Sequence, residues 1–234
     1  MPSQTPPPAP EPLDDPAARA RLAADWAALT RAAGADPTVD PAPYGDRLLT
    51  AWAEPARRYH DTAHLLAVLR RVDELLDAGA PAPDPAAVRL AAWFHDAVYR
   101  PDRSENEERS AAWAERALPE LGVPGARTAE VARLVRLTVT HDPAPGDRHG
   151  ELLCDADLGV LAGDPDAYAR YAAAVRDEYS FVPEPAFRAG RADVLRGLAE
   201  LPALFRTAHG AAHWEGPARR NLAAELRALT EAGS

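Results

Sequence analysis

The sequence predicts an all-α protein that folds as a single domain of about nine to eleven helices. Apolar residues recur every three or four positions through most of the chain, and no convincing stretch alternates apolar and polar residues as a strand would. The chain has 234 residues, of which 47% are hydrophobic and 26% charged, so it can bury a substantial core. We expect a Pro-rich, disordered tail at residues 1–13 and the helical domain at 14–234.

The expected helices are separated by turns rich in proline and glycine. Asp14-Asp15-Pro16 provides acidic caps and a proline in the first turn of the first helix. A second, short helix passes through Leu48 and Trp52 and ends near Pro55. The third is long and amphipathic: it begins around Arg57, runs to Leu76 and is closed by Gly79 and the prolines that follow it.

The second half of the chain continues the same pattern. Ser104 and Glu107 have the spacing of a capping box, in which each side chain bonds the backbone N–H of the other residue at a helix start. The segment 129–140 is predicted to be helical despite its β-branched residues, because Val131, Leu134 and Val135 share one face. The other expected helices lie at about 85–99, 104–118 and 151–161, with two between 165 and 199 and a last one through Leu222, Leu226 and Leu229.

Charge and composition exclude several classes of function. The formal net charge is −10, which argues against nucleic acid as the main partner. All basic residues are arginine, so mechanisms that need a lysine are excluded. The single Cys154 fits a reducing cytoplasm. The chain lacks an apolar run long enough to span a membrane and a recognisable secretory signal, so we expect a cytoplasmic protein with no membrane partner.

Polar side chains interrupt the predicted apolar helices at three places. His95 and Asp96 end an apolar run that contains Trp93 and Phe94, and Asp155 and Asp157 interrupt a second run. Burying an unpaired polar group costs roughly 2–7 kcal/mol, and a charge costs more. A divalent metal is one way to offset that cost, and a satisfied hydrogen bond within the core is the other.

The third interruption is a pair of histidines. His60 and His64 are four positions apart, so on one helix they would project from the same face about one turn apart. Such a pair is a common metal chelate. Together with His95 it places three of the seven histidines on consecutive predicted helices.

The order of these residues resembles the motif of the HD superfamily of metal-dependent phosphohydrolases. The sequence around each of them is similar to that of a bacterial branch known only as predicted HD phosphohydrolases. The resemblance covers roughly residues 15–232, and it is specific for the family but not for a substrate. Its main blocks are Arg57–His64, Trp93–Tyr99, Asn106–Ala111 and Asp155–Leu158, and the later ones are Arg176–Tyr179, Gly190-Arg191 and Asn221–Leu226.

The resemblance implies an HD-type helical bundle that binds a metal through His64, His95, Asp96 and Asp157. Asp157 is preferred over Asp155 because the Ala-Asp-x-Leu pattern of the family ends in the ligand. Two imidazoles and two carboxylates suit Mn, Fe, Co, Ni or Zn, as one ion with about two open positions. The implied reaction is attack of a metal-bound water on a phosphate mono- or diester of a small metabolite or nucleotide.

The same resemblance gives roles to residues around the metal. His60 would protonate the leaving oxygen. Arg57 could clamp a phosphate, or it could only be a solvated arginine at a helix start. Glu107 could orient a ligand or accept a proton, or Glu107 and Glu108 could simply stabilise the first turn of a helix. His141 could contact the substrate or have no role.

Two other functions remain open from the sequence. Some HD-fold proteins hold two irons and oxygenate their substrates, which requires two more histidines between the His-Asp pair and the last aspartate. Only His141 and His149 lie there, and both lie late in that interval. The second alternative is a metal-binding protein without turnover. The sequence also leaves open the substrate and whether the chain forms a homo-oligomer.

Overall fold

Apolar residues at helical spacing lie on one face of nearly every helix, and packing buries that face. The structure confirms the all-α fold in one domain. The structure is a computed structural model that describes residues 16–231, with side chains described from residue 19. The predicted tail at 1–13 and the acidic cap of the first helix therefore lie outside the described residues. Within the described range the chain forms eleven α-helices and one 3-10 turn, and no strand.

The helices follow one another through short connections, and none of those in the described range is long and apolar enough to cross a membrane. Their bounds are α1 Pro16–Ala32, α2 Ala42–Trp52, α3 Thr62–Asp77, α4 Pro85–Phe94, α5 Asn106–Glu120, α6 Gly125–Leu137, α7 Arg148–Leu158, α8 Pro165–Glu178, α9 Glu184–Glu200, α10 Ala208–His213 and α11 Glu215–Glu231, with the 3-10 turn at Gly159–Ala162 between α7 and α8.

Two hydrophobic clusters form the interior. The larger one joins α1 to α7, and the indole of Trp26 lies at its centre, with its ring 5.2 Å from that of Trp93 and 6.1 Å from that of Phe94. Helix α2 approaches this indole closely, since a Cβ at Gly45 would lie 2.5 Å from it. The smaller cluster joins the 3-10 turn, α8, α9 and α11. The carboxyl-terminal end of α7 connects the two.

The start of α3 differs from the sequence prediction. The helix begins at Thr62, and Asp61 is its N-cap: the Asp61 Oδ1 accepts hydrogen bonds from the backbone N–H groups of Ala63 and His64 at 2.8 and 3.2 Å. His60 therefore lies before the helix, and the prediction that His60 and His64 occupy one helical face is wrong. The rings still meet, with their centroids 5.7 Å apart.

Two further boundaries differ around the His-Asp pair. Helix α4 ends at Phe94 rather than near Tyr99, so that His95 is its C-cap and Asp96 lies in the following turn. The predicted capping box is also wrong, because α5 begins at Asn106 and its N-cap, Glu105, makes no side-chain capping bond. Asn106 instead bonds the N–H and C=O of Arg100, which fixes the connection between the two helices.

Candidate metal centre

Three helix ends bring together a group that could hold a metal ion. It consists of His64 in the first turn of α3, His95 at the end of α4 and Asp157 in the last turn of α7, and their ligand atoms lie within 4.8 Å of one another. The Nε2 atoms of the two histidines are 3.2 Å apart, and Asp157 Oδ1 is 3.1 Å from that of His64 and 3.7 Å from that of His95. Both imidazoles are almost completely buried.

Asp96 lies directly beside this group. Its Oδ2 is 3.2 Å from the Nε2 of His95 and 3.8 Å from the Nε2 of His64. It belongs to the same patch of charge, although the tightest set of ligand atoms contains only His64, His95 and Asp157. The structure thus brings all four sequence-predicted ligands to one point.

The donor chemistry of the site fits a divalent metal. His95 Nδ1 lies 2.9 Å from the backbone oxygen of Ala92. Because a carbonyl can only accept, Nδ1 carries a proton, so Nε2 is the nitrogen that faces the site and could bind a metal once the ring is neutral. It faces another imidazole nitrogen and two carboxylate oxygens. Acceptors that converge on one point favour a cation, and imidazole with carboxylate suits Zn and its neighbours among the transition metals.

Burial and nearby opposite charges shift the pKa values of this group in opposite directions. Burial favours the neutral forms, but Asp96 and Asp157 outweigh it at His95 and raise the pKa of that imidazole to about 9. Burial would raise the pKa of Asp157, yet the neighbouring histidines hold it well below its usual range. His64 is the exception: its burial dominates and lowers its pKa. The carboxylates are therefore ionised, as ligands must be, and a metal would displace the proton that the raised pKa keeps on His95.

A histidine–glutamate pair stands next to the metal group. His60 Nδ1 is 2.6 Å from Glu178 Oε1, and the other oxygen of Glu178 accepts the backbone N–H groups of residues 58, 59 and 60 at 2.9–3.1 Å. Burial opposes the charge of this carboxylate, but His60 and the N–H groups outweigh it and lower its pKa to about 2. Tyr99 stacks on the His60 ring with centroids 4.2 Å apart. Glu178 thus fixes one ring nitrogen of His60, and Tyr99 packs against the face of the ring.

Sequence reasoning did not identify Glu178 as a site residue. The signal for it was present, because Glu178 lies in the block Arg176–Tyr179 that contributes to the HD resemblance. It is distant from His60 in sequence, and only the packing of α8 beside the start of α3 shows that they meet.

His141 does reach the site. Its Nε2 is 2.8 Å from Asp157 Oδ2, on the side of the carboxylate away from His64. The backbone of His141 has φ of 51°, in the left-handed region that residues other than glycine seldom adopt. Its N–H bonds the C=O of Leu137 at the end of α6, so the strained turn directs the ring toward Asp157.

The contacts of Arg57 do not support its predicted role as a phosphate clamp. It is buried, and its terminal nitrogens donate to the backbone oxygens of His60, Asp96 and Ala97 at 3.0, 2.6 and 3.1 Å. Three of the four terminal N–H donors of this buried guanidinium are thus directed at backbone carbonyls. Arg57 instead fastens the segment before α3 to the turn after α4, and it thereby positions His60 next to Asp96.

The glutamates after the His-Asp pair also lie elsewhere. Glu108 forms an exposed ion pair with Arg136 at 2.7 Å. Glu107 makes no hydrogen bond or ion pair with the site among residues 16–231, so nothing in its contacts supports the predicted catalytic role. Asp155 is fully buried but accepts from the N–H groups of Arg206 and Thr207. The preference for Asp157 over Asp155 thus agrees with the packing.

One cavity of about 860 Å³ opens onto the candidate metal centre. His60, His141 and Asp157 form part of its wall, together with Tyr59. Most of the remaining wall comes from the 3-10 turn, α8 and α9, and residues 138–140 after α6 add to it. The metal group is therefore buried on one side and reachable by a small molecule on the other.

Comparisons with known proteins do not add an identity: no family model, curated protein or solved structure matches the chain.

Proposed function

We propose that the protein is a metal-dependent phosphohydrolase of the HD type, which hydrolyses a phosphate mono- or diester of a small metabolite or nucleotide. One observation carries the proposal. Two buried histidines and an aspartate converge within 4.8 Å, with the oriented imidazole of His60 beside them on the wall of one cavity. This arrangement combines a place for a metal with a group that can give a proton.

His64, His95 and Asp157 would hold the metal, with Asp96 as the fourth ligand. A bound Mn, Fe, Co, Ni or Zn ion would supply Lewis acidity at the phosphoryl group and lower the pKa of water. The protein contributes the orientation of the ligands. His95 is fixed by the carbonyl of Ala92, and such outer partners typically change metal affinity by ~10–100-fold.

His60 is the proposed general acid. Hydrolysis breaks the bond between phosphorus and the leaving oxygen, and that oxygen must gain a proton as a water oxygen bonds to phosphorus. Glu178 occupies Nδ1 of His60, so that Nε2 remains to give the proton. In this scheme Glu178 is a positioning residue, since it acts through His60.

The diiron alternative is less well supported. It needs two additional histidines between Asp96 and Asp157 near the metal, and of the histidines described in that interval only His141 is there. The second candidate from the sequence, His149, bonds Glu130 through Nδ1 at 2.8 Å and the N–H of Asp84 through Nε2 at 3.0 Å. Its two ring nitrogens are thereby occupied.

The test is phosphate release by metal-loaded protein from a panel of phosphomonoesters, diesters and nucleotides. We expect His60→Ala to lower kcat by ~10²–10⁴-fold, the usual contribution of a general acid, with the metal content unchanged. Glu178→Gln should lower kcat by ~10–100-fold with KM nearly unchanged. The double variant His95→Ala, Asp96→Ala should lose both metal and activity while it stays helical by circular dichroism. No phosphate release from any ester by the metal-loaded protein would contradict the proposal.

A further inference from the structure

The cavity beyond the candidate metal centre has an apolar character that hydrolysis of a small polar ester does not require. Its volume of about 860 Å³ lies within the range of ~300–1,000 Å³ typical of small-molecule sites. A phosphate at the metal centre would fill only a part of it. The walls contributed by the 3-10 turn, α8 and α9 are formed largely by Val160, Leu161, Val175, Phe187, Val194 and Leu198.

Two apolar positions in the cavity wall, one after α6 and one in α9, are exposed to solvent. Val139 and Val194 are 63% and 56% exposed, and both line the cavity. Exposed apolar side chains at the rim of a cavity are characteristic of a surface that is covered when a ligand is bound. Phe181, which is 59% exposed, does not line the cavity and therefore provides an internal comparison.

The cavity also lacks a free cation for a second phosphate group. Arg191 is the only arginine in its wall among the described residues. Its guanidinium forms a two-pronged pair with Glu225 at 2.8 and 3.1 Å and donates to the Tyr171 hydroxyl at 3.2 Å. Apart from Asp157 at the metal centre, the further carboxylate in the wall among the described residues is that of the exposed Asp193. A polyphosphate chain would find no compensating charge there.

We propose that the substrate is an amphiphilic phosphate ester, with its phosphate at the metal centre and an apolar chain or ring along α8 and α9. This inference rests on the proposed function and names its substrate class. The continuity of the cavity supports it, because the same space is bounded by Asp157 and His60 at the metal centre and by Val194 and Leu198 of α9. Water attacks phosphorus, the bond to the ester oxygen breaks, and an apolar alcohol and phosphate leave.

The first experiment measures kcat/KM of metal-loaded protein for ethyl, butyl and octyl phosphate, with octyl phosphate kept below the concentration at which it forms micelles. A fully buried methylene contributes ~0.8 kcal/mol, which is about fourfold in kcat/KM. We expect a rise of about two- to fourfold per methylene in this partly open cavity. Hexyl phosphate should exceed hexose phosphate, which has the same number of carbons but a polar body.

A matched pair of variants locates the effect. Val194→Asp places a carboxylate in the cavity wall, and Phe181→Asp makes the same kind of change at a position of equal exposure outside it. Both sites tolerate a polar residue because they are already in solvent. The first variant should lower the ratio of octyl to ethyl phosphate turnover by at least about tenfold, and the second should leave it unchanged.

Failure of this inference and failure of the proposed function give different results. Hydrolysis that is equally fast for all chain lengths would overturn the amphiphilic substrate and leave the phosphohydrolase intact. If no ester is hydrolysed, binding of ethyl and octyl phosphonate to metal-loaded protein, measured by calorimetry, decides the matter without turnover. Tighter binding of octyl phosphonate that Val194→Asp removes would support the cavity assignment, and equal or absent binding would overturn it.

Discussion

Helix α7 carries a buried and a half-buried aspartate in its last turn, and they have opposite surroundings. Positions two apart on a helix point in directions about 200° apart. Asp155 accepts two backbone N–H groups and the Thr207 hydroxyl at 2.7–2.8 Å, whereas Asp157 faces His64 and His141. Burial outweighs these bonds and raises the pKa of Asp155 to about 6, while the histidines hold that of Asp157 well below its usual range. Burial alone therefore does not identify a ligand.

The difference teaches how to separate a structural carboxylate from a functional one. Asp155 satisfies the protein's own donors at the entry to α10, where the N–H groups would otherwise be buried without partners. Asp157 meets side chains that could themselves bind a metal ion. The change of Asp to Asn should therefore lower metal binding at position 157 and lower stability at position 155.

The largest expected effect is the loss of metal in Asp157→Asn. An amide is a weaker ligand than a carboxylate and does not neutralise the charge of the ion, so we expect the affinity to fall by more than the ~100-fold that an outer partner can cost. Metal content after gel filtration and competition with a chelator measure it. The fold should persist, since no backbone donor depends on this side chain in the described part of the chain. Metal retention equal to the wild type would contradict the assignment.

Asp155→Asn should show the reverse. The amide NH₂ would face one of the N–H groups that now bond the carboxylate, so the free energy of unfolding should fall by about 2–3 kcal/mol. Denaturant unfolding by circular dichroism measures this loss, and the metal content of the folded fraction should match that of the wild type. A stable Asp155→Asn protein that fails to bind metal would contradict this assignment and indicate that Asp155, not Asp157, is the ligand.

Much of the fold could be predicted from sequence because helical spacing is a local property. The centre could be predicted only in part. His64, His95, Asp96 and Asp157 were assigned by resemblance, and the structure places them together. The prediction of one helical face for His60 and His64 failed because it overlooked Asp61, whose side chain competes for the first N–H groups of the helix.

The remaining differences come from contacts between segments far apart in sequence. Arg57 and His60 depend on partners in the turn after α4 and at the end of α8, respectively. No local pattern shows that a guanidinium will bond two carbonyls about 40 positions away, or that Glu178 will receive His60. Long-range polar pairing decides which charged residues are structural and which face the cavity.

A smaller effect is expected at the glycine that faces Asp155. A Cβ at Gly210 would lie 2.6 Å from the Asp155 Oδ2 and 2.9 Å from the Phe205 Cβ. Gly210→Ala should therefore lower the free energy of unfolding by about 1–2 kcal/mol through overpacking. The control is Gly197→Ala in α9, where nothing lies within 4 Å and alanine should instead stabilise the helix by up to ~1 kcal/mol. Equal effects of the two changes would show that Asp155 is not tightly enclosed.

The smallest effect concerns the other end of α7 and extends the comparison to a half-buried carboxylate. Glu130 pairs with Arg133 and His149, and the bond with Arg133 above all lowers the pKa of Glu130 to about 2. Arg133 also pairs with Asp147, the N-cap of α7. Because the pKa of Glu130 in the folded state lies below its ordinary value of 4.5, the stabilisation is complete above that pH and is lost as the pH falls toward about 2.

Glu130→Gln tests this pH dependence. The difference in unfolding free energy between wild type and variant should stay below ~1 kcal/mol, because the pair is partly exposed to solvent and salt. It should be constant near neutral pH and shrink as the medium is acidified below the ordinary pKa of the glutamate. Measurements at low and high salt should show a smaller difference at high salt. A difference that does not change on acidification would mean that this carboxylate contributes no more than a neutral amide, and that charge matters to α7 only at its buried carboxyl-terminal end.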